Sequence, residues 1–355
     1  MEFLSLYYTH KPGGLCKRLY TLLQALERSH KTTYLSLDTP PANIKGFKKI
    51  WFPWAARRGA LFWAVFSVMA AAQAVFVAIK KRPKILIAFH PFYALLLWPA
   101  ALLSGGKIAL FFRAVPHKVA EIRGEPWKGA LLRICEYVAA KISKKVFLIS
   151  NSMKAELPPI DDTKIHVIPN DLVKDSQVEG GSVLPASDRK FRIVSSGVFD
   201  ARKNLEVLIE AVSLLAPKVQ NQVCVYLVGD GEHRQKLEAM IYDRGLSEVF
   251  MFTGWIEGFS IPNVELVVHP ALHEGLSNSL LEALGKKVAV LASNIPEHAE
   301  FFPRNALFAS ASELAEKIAA CVINPGVVQE IIDNEDVLRA NLEFHWEARV
   351  IQRLL

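Results

Sequence analysis

Short apolar runs, each closed by a charge or a turn residue, alternate along this chain with longer stretches of helical pattern. "FLSLYY", "TYLSLD", "KILIAF", "KIALFF", "KVFLIS" and "KIHVIP" make a first series. Helical stretches such as residues 15–27 and 131–142 stand between them. Runs this short and this uniformly apolar read as strands buried on both faces. Strand and helix in alternation imply a doubly wound parallel sheet, because a parallel connection needs a crossover and that crossover is usually a helix. Over residues 176–189 the alternation lapses. "SQVEGGSVLPASDR" is rich in Gly, Ser and Pro and reads as a linker. A second series follows: "FRIVSSGV", "VCVYLVG", "VFMFTG", "VELVVHP" and "VAVLAS". The expected fold class is α/β, with two Rossmann-like domains over residues 1–180 and 181–340. Residues 341–355 hold an amphipathic helix expected to pack back on the first domain. Ligands of such sheets lie outside the carboxyl ends of the strands. Two such sheets facing each other would therefore form a cleft.

The length of 355 residues agrees with two cores rather than one. The overall charge of +7 conceals two halves of opposite sign. Residues 1–150 hold 23 Lys and Arg against 6 Asp and Glu, a net of +17. Residues 151–355 hold 19 against 29, a net of −10. A basic half suits an anionic partner: nucleic acid, a lipid surface or a phosphorylated substrate. Its basic residues are not interleaved with aromatics on a recognisable nucleic-acid module, which argues against nucleic acid. Cys16, Cys135, Cys224 and Cys321 lie far apart, with neither zinc spacing nor a disulfide framework. That fits a reducing cytoplasm. No signal-peptide pattern is visible.

Residues 61–79, "LFWAVFSVMAAAQAVFVAI", form a 19-residue uncharged run between Arg57-Arg58 and Lys80-Lys81-Arg82. Three readings stay open: a core helix, a bilayer span, and a helix lying in the membrane interface. The basic residues at both ends weaken any inside/outside assignment. The strand that follows within a few residues counts against a span.

The chemistry concentrates in "HEGLSNSLLEAL", His273 to Leu284. Two carboxylates, Glu274 and Glu282, flank a polar run at a helix start, just beyond the strand "VELVVHP". A helix N-terminus favours an anion, and a carboxylate can accept from two neighbouring hydroxyls. In ligand order this gives a hydroxyl-rich group at Glu274, a phosphate at Ser277, Asn278 and Ser279, and a ribose at Glu282. That is the layout of a nucleotide sugar. A plainer reading is a capping box, Ser279 with Glu282. The loop "SSGVFDARKN" adds Arg202 and Lys203 at another strand end, where a departing diphosphate would need positive charge. The plainer alternative there is a solvated basic loop. No Asp-x-Asp pair is present to hold a metal. In "YLVGDGEHRQKLE", Gly229 and Gly231 permit close backbone approach, although a simple turn explains them as well. In the first domain, Gly13 and Gly14 of "THKPGGL" and His90 suit the acceptor side. His117, after "KIALFFRAVP", could orient hydroxyls or move a proton. Each also has an ordinary structural reading.

At these residues the chain resembles glycosyltransferase family 4, retaining enzymes of the GT-B fold. The likeness is strongest from 191 to 302 and rests on "SSGVFDARKNLEVLIEA", "VYLVGDGEHRQKLE", "VFMFTGW" and above all "HEGLSNSLLEAL", which carries the family's Glu-x7-Glu. The resemblance implies that Glu274 contacts the transferred sugar and Glu282 the ribose. Lys203, with Arg202 nearby, would neutralise the diphosphate, helped by amides from Leu276 to Ser279. Gly197 and Gly229 would line the donor site, and His117 would touch sugar or acceptor. The chain departs from the family at Val198, where a cation often follows the glycine, at Lys287 and Ala289, and at Asp171. The activity implied is retaining, metal-independent transfer from a UDP- or GDP-sugar, with no further cofactor, to an acceptor hydroxyl. A lipid-linked acceptor, in polysaccharide or glycolipid assembly at the inner face of the plasma membrane, fits the basic first domain. Each surface Lys or Arg near an anionic membrane contributes on the order of 1 kcal/mol. A nucleotide-sugar epimerase of the same architecture and a catalytically silent GT-B scaffold are the rivals.

Overall fold

The computed structural model describes residues 1–10, 14–53, 59–172, 184–185, 188, 191–256, 259–262 and 264–355. Gly13, Trp54, Arg57 and Arg58 lie outside the described residues, as does almost all of the linker expected over 176–189. The chain forms two units. One holds Met1–Glu121, Glu125–Pro169 and His345–Leu355, and the other holds Ile122–Gly124 and Asn170–Phe344.

The first series runs β1 (Glu2–Leu6), α1 (Gly14–Glu27), β2 (Lys31–Ser36), β3 (Phe47–Lys49), α2 (Gly59–Lys81), β4 (Ile85–Ala88) and α3 (Pro91–Ser104). It continues through β5 (Lys107–Phe111), α4 (Pro116–Ile122), α5 (Pro126–Ile142), β6 (Lys145–Leu148), α6 (Ser152–Glu156) and β7 (Ile165–Val167). The six strands read from the sequence are β1, β2 and β4 to β7. They pair in parallel with β3 as β3-β2-β1-β4-β5-β6-β7. The three-residue β3 escapes a hydrophobic scan because "FKK" carries two exposed lysines. Among the described residues it is an edge strand paired only with β2.

The chain steps one way from β1 to β3, then reverses and steps the other way from β4 to β7. Right-handed crossovers therefore place α1 on one face of the sheet and α2, α3 and α5 on the other. The packing agrees, with α2 against α3 and α3 against α5. The core across β4, β5 and β6 is a pile of rings: Phe89 lies 4.6 Å from Phe111, and Phe111 lies 4.4 Å from Phe147. His90 accepts from the amide of Phe92 to start α3, and Gly105, in a left-handed conformation at φ 67°, ends it.

The second unit runs β8 (Phe191–Ser196), α7 (Leu205–Ser213), α8 (Pro217–Gln220), β9 (Val223–Val228), α9 (Arg234–Asp243), β10 (Phe250–Gly254) and β11 (Leu266–His269). Then come α10 (Asn278–Gly285), β12 (Ala289–Ser293), α11 (Pro296–Ala299), β13 (Leu307–Phe308), α12 (Ala311–Ile323), α13 (Pro325–Asn334) and α14 (Asp336–Leu342). The last helix, α15 (Trp346–Leu354), belongs to the first unit and packs on α1. The parallel order is β10-β9-β8-β11-β12-β13, which reverses direction between β8 and β11. Both sheets are thus doubly wound in the Rossmann manner. The reversal point of the second brings the carboxyl ends of β8 and β11 side by side, where such sheets bind their ligands.

Candidate active site

The loops that leave β8 and β11 carry the residues singled out above. After β8 the chain passes Gly197 and folds one short helical turn, Ala201–Lys203. Asp200 caps this turn by accepting from the Lys203 amide. Asn204, left-handed at φ 49°, then redirects the chain into α7. Asn tolerates that region better than most side chains. After β11 the chain loops from Pro270 to Ser277 and enters α10. The two loops are tied by a backbone bond from the Leu272 amide to the Arg202 carbonyl, 2.9 Å.

Across that junction Lys203 Nζ lies 2.7 Å and Arg202 Nη1 3.1 Å from the same oxygen of Glu274. All three side chains are largely buried. Burial pushes the Glu274 carboxyl up, but Lys203 and then Arg202 outweigh it and hold the group well below the ordinary carboxylate range. Glu274 is therefore charged. Gly197, at φ 145°, is the floor beneath the lysine: a Cβ there would stand 3.0 Å from the Lys203 Cε. Gly229 and Gly231 stand where the backbone packs too closely for a side chain. A Cβ on Gly229 would meet the Gly197 carbonyl at 1.9 Å, and one on Gly231 the Phe199 carbonyl at 2.4 Å. Both glycines let the β9 loop lie directly on the β8 loop.

The capping box foreseen between Ser279 and Glu282 does not form. Ser277 caps α10, its hydroxyl accepting from the Leu280 amide, and it meets the Ser279 hydroxyl at 2.9 Å. Glu282 is thereby left for another task and accepts from the Ile261 amide at 2.6 Å. Lys286, 3.7 Å from Glu282, donates to Ser260 and to the Ile261 carbonyl. Leu276 is buried, and its carbonyl accepts from Asn170 Nδ2 at 2.8 Å. With Asn278 opening the helix, the first-turn amides have no partner within it, as at any α-helix start.

Behind Glu274 stands a histidine pair that the sequence reading missed. His269, the last residue of β11, is buried, with Nε2 4.0 Å from the Glu274 oxygen. His298 lies 5.5 Å from it, ring to ring, and its Nδ1 is bound to the Ser293 carbonyl at 2.9 Å. Neither Nε2 has a hydrogen-bond partner among the described residues. Burial lowers the pKa of His269 well below its usual value, with Lys203 adding to the effect, so the ring is neutral. Burial also lowers His298. One residue before Glu274, His273 Nδ1 lies 2.6 Å from buried Glu297, which pins the loop to α11. The signal that could have found His269 and His273 was their short spacing from Glu274 at one strand end.

In the first unit, His117 is buried, its Nδ1 2.7 Å from a carboxylate oxygen of Glu136 and its amide bound to the other. Both contacts hold the ring in place. Burial raises the Glu136 pKa, and the bonds from His117 work against that. His90 is engaged as the α3 cap, and Gly14 opens α1.

Residues 182–336 match the family described as Glycosyl transferases group 1, and residues 12–170 match Glycosyltransferase Family 4. A lipopolysaccharide core biosynthesis glycosyltransferase of Rhizobium meliloti (strain 1021) is 32% identical over 115 residues, covering 32% of this chain and 32% of its own. A serotype-specific mannosyltransferase of Escherichia coli is 35% identical over 111 residues, covering 29% of this chain and 14% of its own. The chain thus spans a third or less of these relatives' length. Among solved structures, Anabaena HepE in complex with UDP-glucose matches with a TM-score of 0.74 at 16% identity, over 100% of this chain and 98% of that one. Sucrose-phosphate synthase of Thermosynechococcus elongatus matches with 0.77 at 16% identity, over 99% and 97%. At such identity these two speak for the fold alone.

Proposed function

We propose that this chain, which belongs to the Family 4 and group 1 glycosyltransferases and has their GT-B fold, moves a sugar from a nucleoside diphosphate to an acceptor hydroxyl in glycan assembly. One observation carries the reading: Lys203 and Arg202 converge on Glu274 at the reversal point of the second sheet, beside the start of α10. Two cations on one carboxylate are poised to exchange partners. A bound diphosphate would draw Lys203 and Arg202 toward its oxygens, with the first-turn amides of α10 adding dipolar support. Glu274, released, would accept from hydroxyls of the transferred sugar. Glu282, one turn on, would take the ribose hydroxyls once the Ile261 amide yields.

In the step itself, the bond from the anomeric carbon to the diphosphate oxygen breaks, and its electron pair leaves with the diphosphate. The cations stabilise the charge that develops there, where such stabilisation is most effective. The acceptor oxygen then bonds to the anomeric carbon on the face just vacated, so the configuration is retained. Its proton passes to a departing phosphate oxygen. His117, held by Glu136, would orient the sugar or the acceptor hydroxyl. A lipid-linked acceptor at the cytoplasmic face suits the basic first unit.

Anabaena HepE, the structural neighbour named above, is known in complex with UDP-glucose, so UDP-sugars head the trial. The test is calorimetric titration of UDP-, GDP- and ADP-sugars, followed by product analysis with and without acceptor. The expected result is one nucleotide bound at least about tenfold tighter than the others, with sugar transferred only when an acceptor is present. An epimerised donor formed without acceptor would replace the reading with epimerisation. No binding of any donor would leave a silent scaffold.

A further inference from the structure

Helix α2 is apolar all round, yet only a third of its most apolar stretch is buried. Phe62, Phe66, Ala70, Ala74 and Ala78 face the first unit at four-residue steps. Leu61, Ala64, Val68, Ala72, Phe76 and Ile79 face outward at steps of three or four, and none of them is polar. A helix hydrophobic on every side needs an apolar environment on every side. The neighbouring α3 contains no charged residue and exposes Trp98, Leu102 and Leu103. Next along the sheet, α5 exposes Trp127, Leu131, Ile134 and Tyr137. The strand order sets these three helices side by side, so their stripes adjoin. Of the 22 large apolar side chains exposed among the described residues, twelve stand on these three helices. A patch of that extent marks an interaction site rather than ordinary surface.

Charge identifies the occupant. Glu136 is the one carboxylate on the three helices, and it is buried against His117. Their exposed charges are basic: Lys80, Lys81, Lys128, Arg133 and Lys141, of which Lys81 is paired with Glu2 and Lys128 with Glu125. The helices run opposite to the strands, so they end at the strands' amino edge, where Lys84, Lys107 and Lys144 are exposed too. Burial, and after it Lys107 and Arg353, lowers the pKa of Lys145 at this edge, a sign of crowded positive charge. Lys80 lies over the Phe76 ring at 4.1 Å, which joins the basic edge to the apolar stripe. Two copies meeting through this face would set like charges together. An anionic bilayer satisfies both the stripes and the lysines, and tryptophans such as Trp63, Trp98 and Trp127 favour the head-group level. A transmembrane span is unsuitable. It would strip Phe62 and Phe66 from a ring cluster with Tyr8 and Phe52, and β4 begins only four residues after α2 ends.

We propose that α2, α3 and α5 together form a face that docks flat in the interface of an anionic membrane, apolar stripes at the acyl boundary and the lysine edge among lipid phosphates. The proposal stands apart from the transferase reading, since it uses no residue of the donor site. Co-sedimentation of the full chain with two kinds of vesicle tests it: phosphatidylcholine alone, or with about one third phosphatidylglycerol. Binding to the anionic vesicles should be at least about tenfold stronger and should weaken with salt. The exposed-residue variant Phe76→Ser/Trp98→Ser/Leu102→Gln should lose at least about tenfold in binding to anionic vesicles. Its melting and its donor binding should be unchanged. Lys80→Gln/Lys141→Gln/Lys144→Gln should lose the salt-sensitive part alone. Equal binding by the apolar variant, or no binding of the parent chain to either vesicle, overturns the proposal. A parent that self-associates through these side chains without lipid would also overturn it, assigning the face to a second copy.

Discussion

Glu274 keeps its charge in a nearly dry setting because Lys203 and Arg202 stand against it. Take away the nearer cation and the carboxylate depends on Arg202 alone. Lys203→Met keeps the stem over Gly197 and removes only the amine. Its expected effect is a fall of about 10²–10³ in kcat, the scale on which single electrostatic groups act on developing charge. Weaker binding of the nucleoside diphosphate should accompany it, read by titration calorimetry. Unchanged turnover would mean that the lysine only balances Glu274. His269 poses a subtler question. A buried Nε2 with no partner among the described residues is costly, and this one faces a carboxylate from 4.0 Å. When the cations turn to phosphate, the neutral imidazole is the nearest group able to steady Glu274. His269→Phe should lower kcat about tenfold with donor KM unchanged, and His269→Gln should recover part of it. A ring that merely fills space would be replaced by phenylalanine without loss in steady-state kinetics.

Whole elements were legible where periodicity spoke and hidden where neighbours decided. Strands such as β9, "VCVYLV", declare themselves because every residue is buried. In contrast β13, only Leu307 and Phe308, is a strand because β12 lies beside it. The Glu274 and Glu282 pair could be read from spacing at a helix start, as could the cations after β8. The cap could not, since Ser277 and Ser279 are equally good residues and only the loop geometry chose between them. Nor could His298, which reaches His269 through the adjacency of β11 and β12. Buried Glu335, at the head of α14, was equally invisible. It packs near β12 with Arg339 3.5 Å away, and burial pushes its carboxyl up to about 8. The folded chain thus holds a proton that the unfolded chain releases near pH 4 to 5. This contribution to stability is full below that range and is lost as pH rises through about 8. Glu335→Gln, which mimics the protonated group, should match the parent near pH 5 and melt higher than it near pH 9. Parallel pH profiles in calorimetry would refute the assignment.

At the scale of the molecule, the chain completes its first unit last. It builds a seven-stranded sheet, passes through the entire second unit and then returns at His345. The returning helix is no loose appendage. Trp346 is 1% exposed, its ring 6.4 Å from both Phe89 and Phe111, with the guanidinium groups of Arg18 and Arg113 each 5.6 Å from its centre. Val350 and Leu354 are buried as well, and Lys145 donates to the carbonyls of Arg353 and Leu354. Without α15 the face of the sheet that carries α1 would be unfinished, since Trp346 covers the Phe89 and Phe111 rings there. Trp346→Ala should therefore cost about 3–5 kcal/mol, the usual range for emptying a buried aromatic site. A loss of that size moves the transition of a domain this large by roughly 10 °C. Two units with separate cores should melt in two steps, and only one step should move. Donor binding, followed through the same melt, should track the step that does not move. If both steps shifted together, the units would be one cooperative body, and the returning helix would bind them rather than finish one of them.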